Sequence, residues 1–386
     1  MLDHLRPCYA EINLDNLRHN FREIKKVVKD KKIFGVIKAD AYGHGALEVA
    51  RVLKEEGVDY FAVAVVTEAM ELRRNGFEDP ILVLGYSPET FSDTIVENNI
   101  TQTVFSYSTA KSISNEAVKQ NKIAKIHIKV DTGMGRLGYT ENDNIVEEIK
   151  NIINLPNICV EGLFTHFSTS DEADKEFSNL QLKRFKNIIN SIEKEGINIE
   201  IKHIANSGAI LDIEEAYFDA VRPGIILYGY YPSSEVNQNK LNLKPVMTLK
   251  SNIVYIKEVE KGTSISYGRK FTADKKMKIA TIPIGYADGF TRLLFGKASV
   301  IIGNKLCPVV GKICMDQCMV DVSECEDVKV SDEVIIMGKT SDFNISADVI
   351  ASKIDTISYE VLCMVSKRVP RVYTENNKVV RIKNFV

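Results

Sequence analysis

The sequence predicts an α/β protein, with an N-terminal (β/α)8 TIM-type barrel followed by a C-terminal mostly-β domain. Between Ile33 and about Tyr230, eight short apolar β-type runs alternate with helical patterns. After about Leu241, strand-like runs follow one another and are separated by Gly, Asn and Asp turns. Eight strands that alternate with helices fit a barrel better than a doubly wound sheet. We therefore predict a barrel domain over residues 1–240 and a β domain over residues 241–386.

Each element has its own signal in the sequence. Leu14–Val28 is predicted as a helix because apolar residues recur there at helical spacing, and Asn142–Ile153 and Phe177–Ile192 show the same pattern. The predicted barrel strands are Ile33–Ile37, Tyr60–Val65, Ile81–Gly85, Thr101–Phe105, Ile126–Val130, Val160–Thr165, Glu200–Ile204 and Phe218–Val221. The C-terminal domain is predicted to contain the strands Val246–Val259, Lys278–Ile284, Ser299–Ile302, Cys307–Val310, Met319–Val322 and Glu333–Met337, and one helix, Ala347–Ile354.

Composition excludes several classes of function. The 386 residues are 45% hydrophobic and 26% charged with a net charge of -2, which is typical of a soluble globular protein and does not favour nucleic acid or an anionic membrane as a partner. No apolar run reaches the roughly 18 residues of a membrane span, and the start of the chain has no signal-peptide layout. The seven cysteines contain no CxxC pair. We predict a cytoplasmic protein with reduced thiols and no metal site.

The stretch Val36–Gly45, with the sequence VIKADAYGHG, is the most informative in the chain. An apolar strand here delivers Lys38 to its end, and a polar turn, two glycines and a helical pattern follow. A desolvated lysine loses its charge readily and can form a Schiff base with an aldehyde cofactor. The alternative is an ordinary lysine whose amine reaches the surface.

Other polar residues fall at the ends of later barrel strands. Arg136 lies in a glycine-rich segment after the fifth strand, and His166, Ser207 and Arg222 follow the sixth, seventh and eighth strands. Taken singly, His166 could be a core histidine and Arg222 a member of a rim ion pair. Because the active site of such barrels lies at the carboxyl ends of the strands, their coincidence at this end predicts a functional site.

The chemistry of these groups predicts pyridoxal phosphate as the cofactor, since it uses an amine, carries a phosphate and has an aromatic ring. Ser207 and the backbone N–H groups of Gly224 and Ile225 could bind the phosphate, with the hydroxyl of Tyr42. His166 could stack on the ring. Arg222 at the pyridine nitrogen can only donate, which leaves that nitrogen unprotonated and favours rapid reprotonation of a carbanion over transamination or elimination.

An ordered set of motifs connects the chain with a known family. The motifs are 10-AEINLDNL-17, 36-VIKADAYGHG-45, 131-DTGMGRLG-138, 221-VRPG-224, 266-SYG-268, 283-PIGYADG-289, 311-GKICMDQ-317 and 358-SYE-360. Over essentially all 386 residues, the chain resembles the bacterial alanine racemases, which are pyridoxal phosphate enzymes with an N-terminal barrel and a C-terminal β domain.

The resemblance implies a role for each matching residue. Lys38 resembles the Schiff-base lysine and one of two catalytic bases, and Tyr267 the second base, which reaches the site from the partner subunit of a homodimer with shared active sites. Arg136 and the backbone N–H of Met315 resemble the groups that hold the substrate carboxylate, and Arg136 also contacts the cofactor. The phosphate-binding positions are matched by Tyr42, Ser207, Gly224, Ile225 and Tyr359. His166 matches the histidine that bridges Arg222, at the pyridine nitrogen, toward Tyr267.

Lys129 is a further candidate, because many family members carry a carbamylated lysine at the matching position. The alternative is an unmodified Lys129 that is bridged to an Asp or Glu. The implied function is interconversion of L-alanine and D-alanine, which supplies D-alanine for peptidoglycan. Two racemisation bases on opposite faces of a planar intermediate do not require the substrate to move.

Three alternatives remain open. A racemase with serine or broader specificity is one, although Tyr267, Met315 and Tyr359 are expected to crowd the side-chain pocket and favour a methyl group. A barrel-type decarboxylase would place an acidic residue where this chain has Arg222. A non-catalytic pyridoxal phosphate carrier, from a different class, would have a bare barrel without the second domain that carries Ser266-Tyr267-Gly268.

Overall fold

The computed structural model describes residues 6–140 and 143–384, which form two compact units. The first unit, here called the barrel unit, comprises Leu17–Ala41 and Ala46–Lys244. The second, here called the β unit, comprises the chain up to Asn16, Tyr42–Gly45 and the chain from Pro245. Asn142, the predicted start of one helix, lies outside the described residues.

The elements are numbered along the chain. The strands up to the end of the barrel are β1 (Cys8–Asn13), β2 (Lys32–Val36), β3 (Tyr60–Val63), β4 (Ile81–Val83), β5 (Thr101–Val104), β6 (Ala124–Lys129), β7 (Ile158–Phe164), β8 (Ile201–His203) and β9 (Ala220–Val221). Those that follow are β10 (Met247–Asn252), β11 (Tyr255–Val259), β12 (Ser264–Ile265), β13 (Phe271–Thr272), β14 (Met277–Ile282), β15 (Ser299–Ile302), β16 (Lys305–Val310), β17 (Cys318–Asp321), β18 (Glu333–Lys339), β19 (Asn344–Ile345), β20 (Arg371–Glu375) and β21 (Lys378–Lys383).

The helices of the described residues lie mostly between the barrel strands, with the first before them and the last two in the β unit. They are α1 (Leu14–Val28), the short left-handed segment α2 (Lys38–Tyr42), α3 (Ala46–Glu55), α4 (Val66–Arg74), α5 (Ser92–Glu97), α6 (Tyr107–Lys119), α7 (Ile145–Ile153), α8 (Glu176–Lys194), α9 (Ser207–Asp212), α10 (Ala347–Lys353) and α11 (Ser358–Met364). Short 3₁₀ turns lie between them, among them Ile225–Tyr228 and Tyr267–Arg269. None of the helices in the described parts of the chain combines the length and apolar character needed to cross a bilayer.

The barrel unit confirms the predicted fold class. Strands β2 to β9 are parallel, each pairs with the next, and β9 closes the barrel by pairing with β2 through Ile33 and Val221. The strand interiors are apolar and buried, as in Phe34, Leu82 and Ile128. Because all eight strands run the same way, their carboxyl ends meet at one rim. Helix α1 has the bounds that its apolar spacing predicts.

The β unit contains the second predicted architecture, a mostly-β domain. Its sheet has the strand order β11-β14-β17-β16-β15-β18-β10-β1-β20-β21, and β19 pairs with β18. The predicted single strand Val246–Val259 is instead two strands. The reason is that Ile253 N–H bonds the Asp332 carbonyl at 3.0 Å whereas Val254 N–H bonds the Thr281 carbonyl at 3.0 Å, so the chain changes neighbours between them.

Strand β1 differs from the predicted domain organisation. It was not among the predicted strands, and it lies in the segment 1–240 that the sequence assigns to the barrel. In the structure, β1 pairs antiparallel with β10 and parallel with β20, so this strand completes the sheet of the β unit. Its partners are remote in sequence, which is why local patterns do not reveal the pairing. The contact-based boundary falls between Lys244 and Pro245.

A buried arginine stabilises the end of the β unit, and its removal is predicted to destabilise the fold. Arg371 is almost fully buried. Its guanidinium donates to four backbone carbonyls, those of Gly43, Val365, Ser366 and Val369, at 3.0, 2.7, 2.5 and 2.6 Å. We expect Arg371→Met to lower the free energy of unfolding by about 2–4 kcal/mol, because buried carbonyls lose their donors. Urea unfolding measures this, and Arg381→Met, an exposed arginine on β21, is the control. Equal effects of the two substitutions would contradict the prediction.

Candidate active site

Lys38 lies at the carboxyl end of strand β2, as predicted, and it begins a segment of unusual backbone conformation. The four residues that follow it, Ala39 to Tyr42, have φ between 53° and 55°. Left-handed backbone of this kind costs L-residues roughly 1–2 kcal/mol each. Such strain persists only where surrounding structure determines the conformation, and it concentrates at functional sites.

Two carboxylates hold this left-handed turn in place. Glu68 accepts hydrogen bonds from the N–H groups of Ala39 at 2.6 Å and Ala64 at 2.7 Å. Asp40 accepts from the N–H of Ala46 at 2.8 Å, at the start of α3. The turn after Lys38 is therefore fixed on both sides, which fixes the direction from which the Lys38 side chain leaves the strand.

Arg136 lies in a loop that its own aspartate organises. The carboxylate of Asp131 accepts the N–H groups of Gly133, Gly135 and Arg136 at 2.8, 3.1 and 2.9 Å. Burial alone would raise the pKa of Asp131, but these backbone donors outweigh it and lower the pKa. Gly138 has φ +126°, and a Cβ there would lie 2.6 Å from the backbone of Val130, so only glycine fits this position. The arginine side chain itself is exposed.

Arg222 is the most heavily bonded member of the site. Its side chain is buried, and it donates to the carbonyls of Thr165 at 2.9 Å and Ile204 at 3.1 Å. It also contacts His203 Nδ1 at 2.7 Å and His166 Nδ1 at 3.2 Å. The sequence prediction that His166 contacts Arg222 therefore matches the geometry. Because arginine can only donate, His166 must accept at Nδ1 and carry its proton at Nε2.

The charges around Arg222 are almost all positive. Burial and then the nearby charge of Arg222 lower the pKa of His166 well below its usual value, so this imidazole is neutral at pH 7. Lys129 is affected in the same way. Burial first, and then the charges of Arg222 and Arg136, lower its pKa to about 7, with Lys38 acting in the same sense and Asp131 opposing. Lys129 forms no ion pair with a carboxylate of the described residues, which disfavours the bridged alternative.

Two predicted phosphate-binding residues lie against each other in the barrel unit. Ser207 begins α9, and its Oγ accepts the backbone N–H of Gly224 at 2.9 Å. Ile225 follows and begins a buried 3₁₀ turn. The serine hydroxyl and the backbone of the loop after β9 are therefore brought together, as the sequence predicts for these positions.

The remaining candidates belong to the β unit. Tyr42 and Tyr359, both predicted to bind phosphate, have ring centroids 6.0 Å apart, and burial raises the pKa of Tyr42. Tyr267 lies in a 3₁₀ turn after Ser266, and it is 67% exposed. Met315 is 52% exposed. Because both side chains are exposed, Tyr267 and Met315 are accessible to a second molecule.

Sequence reasoning missed Phe164 as a site residue. Its ring stacks on His203 at a centroid distance of 4.7 Å with an interplanar angle of 5°. The Lys129 amine and the Arg222 guanidinium carbon lie 4.9 and 5.4 Å from its centroid. An aromatic face this close stabilises both cations. Its place at the end of β7, directly before the Thr165-His166 segment, is the one signal in the sequence that could have indicated this role.

Comparison with known proteins places the chain in a family. The family model described as "Alanine racemase, N-terminal domain" matches residues 12–232, and the one described as "Alanine racemase, C-terminal domain" matches residues 246–373. The chain belongs to the alanine racemase family. Together the two matches cover most of both units, and this confirms the family resemblance that the motifs indicate.

Individual members of the family resemble the chain over its full length. The alanine racemase of Clostridium novyi (strain NT) is 54% identical over 387 residues, with 100% of both chains covered. Among solved structures, the alanine racemase of Clostridium difficile 630 matches with a TM-score of 0.95 and 48% identity, covering 99% of each chain. The alanine racemase of Bacillus anthracis with bound L-Ala-P matches with a TM-score of 0.92 and 36% identity, covering 99% of this chain and 98% of that one.

Proposed function

We propose that this protein is a pyridoxal phosphate-dependent alanine racemase that interconverts L-alanine and D-alanine. The observation that carries the proposal is the cluster of Lys38, Lys129, Arg136, His166 and Arg222 at the carboxyl end of the barrel, in a chain that belongs to the alanine racemase family. After burial, the charges of Arg222, Arg136 and Lys38 lower the pKa of both Lys129 and His166, so the five groups lie near one another. Among the charged groups that shift the pKa of Lys129, Asp131 opposes the cations.

The donor set fits the cofactor and its substrate. Burial and then the charges of three cationic side chains lower the pKa of Lys129, so positive charge predominates around this amine. A phosphate and a carboxylate would supply the missing negative charge. Lys38 would bind the cofactor covalently through its amine, and Ser207 with the backbone at Gly224 and Ile225 would hold the phosphate. When bound, the cofactor withdraws electrons from the α-carbon and makes the α-proton more acidic.

Arg222 would determine which reaction the site performs. Each of its bonded partners is an acceptor, and a guanidinium keeps its protons, so it can offer only a donor to a ring nitrogen. A donor at that position leaves the nitrogen unprotonated and limits electron withdrawal. Limited withdrawal favours rapid return of a proton to the α-carbon, which is what racemisation requires.

We also propose that the enzyme is a homodimer in which Tyr267 and Met315 complete the site of the partner subunit. The support is their exposure on the β unit together with the family match over residues 246–373. Tyr42 and Tyr359 are proposed to bind phosphate through their hydroxyls. Two bases are needed, because a proton must leave one face of the α-carbon and another must return to the opposite face. Lys38 and Tyr267 would serve as these bases, and Arg136 would hold the substrate carboxylate.

The direct test is optical. Purified protein loaded with pyridoxal phosphate is mixed separately with pure L-alanine, L-serine and larger L-amino acids, and the optical rotation is followed. We expect fast loss of rotation with alanine and slower loss with serine, because a hydroxyl is rejected weakly by a small pocket. Preference for another amino acid would establish the broader-specificity alternative. Retention of rotation in every sample, with cofactor absorbance present, would favour the carrier alternative.

We propose that Lys129 is carbamylated, and its environment supports this. An amine whose pKa is near 7 is about half neutral at neutral pH. The neutral amine is the form that attacks CO2, and one proton is released as the carbamate forms. The product is an anion beside Arg136 and Arg222. We expect a carbamate signal in ¹³C NMR of protein equilibrated with ¹³C-bicarbonate, absent from Lys129→Ala, and a fall in kcat of about 10–100-fold in that variant.

The pH dependence of this modification has a definite sign. Above about pH 7 the Lys129 amine is neutral in the folded protein and can react, whereas below that value it is protonated and the carbamate is lost. In CO2-free buffer, the buried ammonium destabilises the folded state most below pH 7, and the penalty is relieved as the pH rises toward the usual pKa of lysine. The ¹³C carbamate signal should change between pH 6 and pH 8, which spans about one unit on either side of the pKa. A carbamate signal that stays constant over this range would contradict the assignment.

We place this activity in the cytoplasm, as a supply of D-alanine for peptidoglycan. The support is the family membership of the chain. A bacterial strain whose own alanine racemases have been deleted provides the test. The gene for this chain should restore growth without added D-alanine, whereas the Lys38→Ala form should not.

A further inference from the structure

A chain of polar side chains continues from Arg222 into the interior of the barrel. His203 Nε2 lies 2.9 Å from His127 Nδ1, and His127 Nε2 lies 3.2 Å from a carboxylate oxygen of Glu161. Both histidines are fully buried, and Glu161 is 7% exposed. The racemisation steps described above use none of these three residues. A buried carboxylate and two buried imidazoles in a line require an explanation, because burying polar groups is costly.

The donor Arg222 at one end and the acceptor Glu161 at the other together set the direction of every hydrogen bond in this series of side chains. Arg222 can only donate, so His203 must accept at Nδ1 and carry its proton at Nε2. That Nε2–H donates to His127 Nδ1, which must therefore accept, and His127 in turn carries its proton at Nε2. The Nε2–H of His127 then donates to Glu161. One tautomer of each histidine satisfies all the contacts, and the chain runs from Arg222 to the carboxylate.

Glu161 is suited to end the chain. It also accepts from the hydroxyl of Tyr60 and from the Lys125 amine at 2.6 Å. Burial opposes its ionisation, but hydrogen bonds from His127, Lys125 and Tyr60 outweigh burial and lower the pKa of Glu161 to about 2. It is therefore a carboxylate at neutral pH and can only accept. Lys125 is 54% exposed, so its charge is partly screened by solvent, and Glu161 is the buried acid.

Local features of strands β6 and β7 leave space for these hydrogen-bonded side chains. A Cβ at Gly162 would lie 2.3 Å from His127 Nδ1, so the imidazole occupies the space that any other residue would fill. The pairing of β6 with β7 shifts register between Ile126 and His127, whose partners are Val160 and Gly162, so Glu161 is the extra, unpaired residue of an irregularity in β7. The Phe164 ring stacks on His203 and fixes its plane. These features indicate that the surrounding strands are adapted to hold the two histidines and Glu161 in this arrangement.

We propose that Glu161, His127 and His203, on the neighbouring strands β7, β6 and β8, form a directional hydrogen-bond chain that positions the Arg222 guanidinium. The inference rests on the proposed function only for the consequence at Arg222. Glu161 is a positioning residue, since it acts through two histidines and touches neither substrate nor cofactor position. Its negative charge keeps both histidines in the tautomers that accept from the arginine side.

Lys125 makes the substitution Glu161→Gln a sharp test. A glutamine has one acceptor oxygen, and Lys125 can only donate, so the oxygen should turn toward Lys125 and the NH2 group toward His127. His127 would then accept at Nε2 and donate from Nδ1. His203 would in turn accept at Nε2 and carry its proton at Nδ1. That N–H would face the Arg222 donor, so the hydrogen bond between His203 and Arg222 would be lost. Adding Lys125→Met removes the competitor and should return the glutamine oxygen to His127.

Histidine ring nitrogens report these tautomers directly. We propose solid-state ¹⁵N NMR of holoenzyme labelled in its six histidines, with signals assigned by single substitutions. In the wild type, His127 and His203 should each show a protonated Nε2 and an unprotonated Nδ1. Both should invert in Glu161→Gln and revert in the double variant. Glu200→Gln, an exposed acid whose charge reaches Tyr60 and Lys125, should leave both histidines unchanged.

Kinetics provide a second readout. With alanine as the substrate, Glu161→Gln should lower kcat by about 10–100-fold with a smaller change in KM. The double variant, which adds Lys125→Met, should regain much of the lost kcat. A wild-type spectrum with protonated Nδ1 at either histidine would overturn the proposal without any substitution, and so would unchanged tautomers and kcat in Glu161→Gln. Loss of the proposed function is recognised separately, because a protein that racemises nothing would still show the tautomers.

Discussion

Replacement of Lys38 by alanine is expected to abolish racemisation, with kcat reduced by at least about 10³–10⁴-fold. The substitution removes both the amine that would hold the cofactor covalently and one of the two bases, and general-base catalysis alone contributes roughly 10²–10⁴-fold. The chain offers a matched control, since Lys32 lies at the opposite end of the same strand, β2. Lys32→Ala should retain activity.

Two measurements separate this role from a structural one. After borohydride reduction and digestion, mass spectrometry should find the cofactor on the Lys38 peptide of the wild type and on no peptide of Lys38→Ala. An added small amine such as methylamine should restore part of the activity of the variant. Covalent cofactor at another lysine, or full activity in Lys38→Ala, would be incompatible with the proposed site.

Replacement of Tyr267 by phenylalanine is expected to remove one direction of proton transfer. The ring stays, the hydroxyl is lost, and the side chain is exposed, so the fold should not change. Exchange of the α-proton with solvent deuterium should persist for the alanine enantiomer whose proton faces Lys38. For the other enantiomer it should fall by about 10²–10⁴-fold, because the second base is missing. Proton NMR of each enantiomer in D2O measures the two rates.

The control is another exposed tyrosine of the β unit, Tyr255, which is 57% exposed. Tyr255→Phe should exchange both enantiomers at wild-type rates. Mixing inactive Lys38→Ala with inactive Tyr267→Phe tests the dimer as well, since a shared site predicts that mixed dimers regain one complete site. Equal loss of exchange for both enantiomers in Tyr267→Phe would rule out a base that serves one face.

The sequence predicted the parts of this structure that depend on local patterns. Helix α1 has an amphipathic repeat, and the barrel strands have apolar runs between helices, so both were recognisable. Lys38, His166, Ser207 and Arg222 were recognisable for a different reason. In a parallel barrel, residues just after different strands must lie at one rim, whatever the register.

The parts that were not predicted depend on pairing or on the orientation of side chains within buried strands. Strand β1 pairs with β10 and β20, far away in sequence, and no local signal encodes that. His127, Glu161 and Phe164 lie within strands buried on both faces, so no polar–apolar alternation shows which side chains point into the barrel. A register shift inside β6–β7 adds a change of direction that only coordinates reveal.

The left-handed turn after Lys38 has a consequence for the order of assembly. An unfolded chain has no reason to keep the consecutive L-residues Ala39 to Tyr42 at positive φ, and in the folded protein the bonds that Glu68 and Asp40 accept help to compensate the cost. The lysine therefore acquires its fixed direction after the barrel closes. Cofactor capture should follow maturation of the polypeptide, and a nascent or denatured chain should react with the aldehyde no more selectively at this lysine than at any other.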